Sequence, residues 1–247
     1  MSKYELEKCP DKDLWDDFVK SSPQGSIFST TKFIDCLKID YSTYLLKKGK
    51  ELMGGVCVLE DESGEPIRAP FVFTPYQGIL CRDRTGFPVH TQVEEEFKII
   101  ETIINELIRV YGRVSLAHSP FLKDIRPFLW HNYHHPEKGL FDCSVWYTPI
   151  LDLSFSGIDD YVASIRTCRR QEFRKKINYH TYETKETRIL NELHRQTFDR
   201  QGIERAEVEE ELLLSISDSA VKNNFGRISI CEVEPRFIFL ERIISNE

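Results

Sequence analysis

The chain spells one order of elements twice. Alternating and 3.6-residue apolar patterns give, from the N-terminus, strand, helix, helix, three strands, helix, strand, short helix and two strands. A linking helix follows, and then strand, helix, helix, strand and strand again, ending at Glu247. Each copy is long enough to be a domain, so the repeat is not a solenoid unit. The fold class implied is α+β, a mixed sheet with helices on its faces. One complete copy is expected over 1–156, a linking basic helix over 157–178 and an incomplete second copy over 179–247.

In the first copy the strands read as Lys3–Lys8, Thr43–Lys48, Met53–Glu60, Ile67–Phe73, Val114–Ala117, His131–His135 and Cys143–Leu153. The strongest helix is Gln92–Tyr111, where Phe97, Ile100, Ile104, Leu107 and Tyr111 step by three and four and Gly112 supplies a stop. A short helix is expected at Leu122–Leu129. Between Phe73 and Gln92 runs a long loop, Thr74–Pro88; its Tyr76-Gln77-Gly78 favours an ordered, functional loop over a disordered one.

The linking helix, from about Gly157 to Asn178, carries six positive residues between Arg166 and Lys176 against the single acid Glu172. A solvated face is the plain reading of such a run. Arg169, however, falls four residues from both Ile165 and Phe173 and so interrupts the apolar stripe; an arginine there needs a carboxylate, a backbone carbonyl or an anionic ligand. The second copy reads as a strand at Tyr179–Glu183, helices at Glu186–Arg200 and Ala206–Asn224, and strands at Gly226–Val233 and Arg236–Ile244.

Composition narrows the function. Forty per cent hydrophobic residues suffice for a core, no apolar run approaches the roughly 20 residues of a membrane span, and Met1–Lys8 lacks the apolar stretch of a signal peptide. Seven scattered cysteines with no C-x-x-C pair fit reduced thiols, so a cytoplasmic protein without a metal site is expected. His131, His134 and His135 would fall on both faces of one strand, which argues against a shared metal. A net charge of -7 restricts any anion or nucleic-acid contact to a local basic patch. No G-x-S-x-G elbow, H-E-x-x-H, Walker loop or dinucleotide fingerprint occurs.

Six stretches carry a further likeness: Trp15-Asp-Asp-Phe-Val19, Gly25-Ser-Ile-Phe28, Thr74-Pro-Tyr-Gln-Gly78, Phe128-Leu-Trp-His-Asn-Tyr133, Tyr147-Thr-Pro-Ile-Leu-Asp-Leu-Ser154 and Arg169-Arg-Gln-Glu-Phe-Arg-Lys-Lys176. In this order and spacing they resemble the FemAB-related, GNAT-like acyltransferases, over nearly the whole chain to about Ile230. The resemblance implies a GNAT-like acyl-CoA N-acyltransferase fold, doubled, with the second copy truncated. It implies acyl or aminoacyl transfer to an amine of a cell-wall precursor or other glycan, without a metal or a tightly bound cofactor. The donor would be acyl-CoA or an aminoacyl-tRNA. The Arg/Gln-x-x-Gly-x-Gly/Ala signature of CoA-binding relatives is missing: Arg84-Thr-Gly-Phe-Pro-Val89 is misspaced and Gln201-Gly-Ile-Glu-Arg205 lies on the wrong element.

In the resemblance a cleft between the copies takes a phosphate-bearing acceptor and the linking helix borders it. Arg169, Arg170 and Arg174, with Tyr76 and Gln77, are therefore the candidate site for an anionic glycan or nucleotide-linked substrate. No catalytic base stands out. A non-catalytic remnant that keeps an anionic-ligand module is the rival reading, and a tRNA-binding accessory a third. Unpaired C-terminal strands rich in Phe237, Ile238, Phe239 and Leu240 suggest self-association.

Overall fold

The computed structural model describes residues 3–174, 179–204, 206–233 and 236–242. Strand β1 (Tyr4–Lys8) leads into helix α1 (Lys12–Ser21), which starts where the Asp11 side chain accepts the amides of Asp13 and Leu14, both at 3.1 Å. Helix α2 (Thr31–Ile34) is one turn between 3-10 turns at Ile27–Ser29 and Asp35–Leu37. Strands β2 (Asp40–Lys48), β3 (Glu51–Glu60) and β4 (Ile79–Cys81) join β1 in an antiparallel sheet of order β1-β2-β3-β4. Helix α3 (Val89–Tyr111) ends at Gly112, whose φ of 72° lets its amide reach the Ile108 carbonyl at 2.7 Å. Helices α4 (Arg126–Trp130), α5 (Ile158–Ser164) and α6 (Thr167–Arg174) follow. The second group is β5 (Tyr179–Thr184), α7 (Thr187–Gln201), α8 (Glu207–Lys222), β6 (Arg227–Val233) and β7 (Arg236–Arg242), its antiparallel sheet ordered β5-β6-β7.

Both faces of the first sheet are covered, which is why β2 and β3 read as continuous apolar runs. Tyr44, Leu46, Val56, Val58 and Ile79 face α3, where Ile99, Ile100, Ile103, Ile104 and Leu107 are buried. Leu45, Cys57, Leu59 and Leu80 face the other way, onto Trp15, Phe18 and Phe33. Gly54 and Gly55 let both helices close on β3: a Cβ on Gly54 would stand 2.5 Å from Ile99 Cγ2, and one on Gly55 2.9 Å from the Trp15 ring. The Trp15 core also takes Leu212, Ile216 and Ala220 from α8, and the Ser215 hydroxyl donates to the Cys36 carbonyl at 2.8 Å. The other side of α8 packs Leu213 with Leu190, Ile228 and Ile230, so one helix serves two cores. Phe73 packs against both.

The expected strands at Lys3–Lys8, Thr43–Lys48 and Met53–Glu60, the long helix and the helix pair of the second copy correspond to β1, β2, β3, α3, α7 and α8. Other expectations are corrected. Residues 67–73 form a loop, in which Pro70 withholds a ladder donor, and the third hairpin partner is β4, inside the stretch read as loop. Val114–Ala117 contributes only the single bridge Gln77↔Ala117. The short helix falls at α4, five residues with Pro127 in its first turn. His131–His135 is a turn: Asn132 has φ 53°, and its Nδ2 donates to the carbonyls of Lys138 and Gly139 at 3.3 and 3.0 Å. Cys143–Leu153 has no assigned secondary structure and joins no described strand. The linking helix is two helices, broken where Ile165 takes ψ 158°, and 175–178 lie outside the described residues.

Candidate functional site

The Tyr76–Gly78 turn is built by backbone pairing. The Gln77 amide donates to the Ala117 carbonyl at 2.7 Å, and the Ala117 amide returns to the Gln77 carbonyl at 3.0 Å. The Gln77 side chain is buried, and its Oε1 accepts the Phe71 amide at 3.4 Å. Gly78 has no room for a side chain, since a Cβ would meet His118 Nδ1 at 2.6 Å. Tyr76 is half-buried, its ring edge-on to Phe28 at 6.0 Å. Trp15, Phe28, Thr74, Tyr76 and Gln77 line a cavity of about 10 Å³, room for about one water.

Beside this turn, the outer edge of β4 is closed by side chains. His118 Nδ1 accepts the Ile79 amide at 3.3 Å, and Gln24 Oε1 accepts the Cys81 amide at 2.9 Å. Gln24 is itself held by the Ser22 hydroxyl at 3.1 Å and donates to the Phe121 carbonyl at 3.3 Å. Burial pushes the His118 pKa down to about 4, and its ring packs on Phe128 with centroids 4.8 Å apart. An Nδ1 that accepts an amide proton must be unprotonated, so hydrogen bond and pKa agree. The sequence reading missed Gln24 and His118; the only local signal was the Ser22-Pro-Gln-Gly25 turn, which reads as a plain helix stop.

The basic helix is corrected in one respect. Arg169 does not sit on a buried stripe: its side chain is 73% exposed, and its Nη1 donates to Glu172 Oε2 at 2.9 Å. The break before α6 turns the supposed stripe position to solvent. Arg170 is half-buried; its Nη2 makes a long bond to Thr167 Oγ1 at 3.5 Å, and its buried Nε has no hydrogen-bond partner among the described residues. The side chain of Arg174 lies outside the described residues. Arg169 and Arg170 thus bond within α6, and Tyr76 and Gln77 within the first unit. An open groove of about 490 Å³ at the end of α7 is lined by Arg195, Asp199, Glu204 and Glu210, with Arg195 already paired to Glu192 and Asp199. Among the described residues no group of three or more His, Cys, Asp or Glu could hold a metal, and no helix is long and apolar enough to cross a membrane.

No protein-family model and no curated protein matches the sequence. Among solved structures, the crystal structure of FemX superimposes with a TM-score of 0.55 at 12% identity, covering 92% of this chain and 57% of that one. The chain therefore has a FemX-like fold and spans little more than half the length of the FemX chain.

Proposed function

We propose that this chain is a Fem-type transferase unit that passes an acyl or aminoacyl group to an amine of a cell-wall precursor or another glycan. The observation that carries this reading is the FemX-like fold over 92% of the chain, together with the six stretches that resemble FemAB-related acyltransferases. The units of this proposal are 1–156, the linking segment 157–178 and 179–247, with acyl-CoA or aminoacyl-tRNA as donor. In such a transfer the amine nitrogen attacks the activated acyl carbon and the bond to the thiol or tRNA hydroxyl breaks. The amine proton leaves to a nearby base, and the protein's main contribution is to hold the two partners in line.

The acceptor's phosphate would be taken by Arg169, Arg170 and Arg174, with Tyr76 and Gln77 shaping the approach. Arg170 supports this best, because its buried guanidinium Nε, without a hydrogen-bond partner among the described residues, is a donor in want of an acceptor. A nucleotide-linked sugar titrated into the full chain and into Arg170→Ala tests it. Loss of a charge-assisted bond should weaken binding by roughly 1.5–3 kcal/mol, with unfolding unchanged. Equal affinities, or no binding by either protein, would remove the site.

A further inference from the structure

The longest exposed apolar run in the described chain lies between α4 and α5. Val145, Trp146, Tyr147, Ile150, Leu151 and Leu153 are each at least 56% exposed, Trp146 and Tyr147 at 88% and 94%. This stretch has the composition of a strand yet joins no sheet. It is also acidic: 142–160 contains Asp142, Asp152, Asp159 and Asp160 and no lysine or arginine. Monomeric proteins rarely leave such a patch open.

The same chain carries a surface of opposite character. Strand β5 pairs only with β6, so its outer edge carries no described strand. Leading into β5 is α6, which with Arg166 presents Arg169 and Arg170 against the single acid Glu172. An unpaired edge accepts an added strand, with main-chain bonds giving affinity and flanking charge giving register. Within its own chain the acidic run stays off this edge.

We propose that a second copy of this chain covers the run. Residues 143–153 of one copy add as a strand to the β5 edge of the other, and the flanking acids lie against its α6. Each copy is donor and acceptor at once, so the exchange closes as a two-fold dimer and uses both surfaces twice. Six large side chains, each offering on the order of 100 Å², approach the roughly 800 Å² per partner of a standard interface. This inference does not depend on acyl transfer, and its readout is association of the chain rather than binding of a nucleotide-linked sugar.

The test is sedimentation equilibrium of the full chain and of two charge reversals, Asp142→Arg/Asp152→Arg and Arg166→Glu/Arg169→Glu. The wild type should dimerise, more weakly at high salt, and each reversed protein should dimerise at least about tenfold more weakly. Mixing the two reversed proteins should restore a heterodimer, because each then meets its opposite charge. Tyr147→Asp should also weaken the wild-type dimer. A wild type monomeric at high micromolar concentration overturns the proposal. So does a dimer indifferent to Tyr147→Asp and to both reversals, since association would then run through another surface.

Discussion

His118 and Gln24 hold the ends of a short strand that neither belongs to. Each accepts an amide of β4 from far along the chain, 39 and 57 residues away. That distance is why neither was legible: their chemistry is set by a partner that local pattern cannot supply. The His118 bond has a pH signature. Its pKa is about 4 in the fold against about 6.5 in the unfolded chain, so the unfolded state takes the proton first. The stability it contributes is complete above about pH 6.5 and is lost as pH falls towards 4, by up to roughly 3 kcal/mol at about 1.4 kcal/mol per unit. Urea midpoints measured across that window should fall for the wild type. They should stay flatter for His118→Gln, which keeps an acceptor but does not titrate. Parallel curves for the two proteins would show that His118 is not the titrating group.

Among the elements, helix α3 was the most legible. Its apolar residues recur within one turn, so the period could be read without knowing what it packs on. The structure begins it three residues earlier, at Val89, and buries Ile99 and Ile103 alongside Ile100, Ile104 and Leu107, while Phe97 is only half-buried and meets Trp130 at 5.6 Å. Ile104 is fully buried between the helix and the sheet. Ile104→Asp would place a carboxylate there without a partner and should cost several kcal/mol, enough to abolish the cooperative thermal transition. A mutant that melts like the wild type would displace α3 from the core. By contrast, residues 67–73 and 143–153 carry strand composition without a strand, because a strand also needs a neighbour in register.

On the scale of the whole molecule, the parts built on the two sheets share a core. Leu212, Ile216 and Ala220 of α8 pack with Trp15, Phe33 and Leu37, and Phe73, at a left-handed φ of 59°, sits between that core and the one around Leu190. The units should therefore unfold together. Ile216→Ala should cost about 2–5 kcal/mol and lower the transition reported by the buried Trp15 as much as that reported by far-UV dichroism. A Trp15 transition left in place would mean that the units are energetically independent. The side chains of the expected exposed edge at Phe237–Leu240 lie outside the described residues; β7 is the last described strand of its sheet.

The α3 stripe, the β2–β3 pair and the helix pair α7–α8 were determined by the sequence itself. Each rests on contacts between residues a few positions apart, or on a period that repeats within one element. Tertiary structure decided the rest. It made Ile79–Cys81 rather than Ile67–Phe73 the fourth strand, because the edge is secured by Gln24 and His118 from elsewhere in the chain. It exposed Arg169 by breaking the linking helix at Ile165, and it placed α8 in the first unit's core. These outcomes depend on which distant surface reaches a residue first, and a linear pattern holds no record of that.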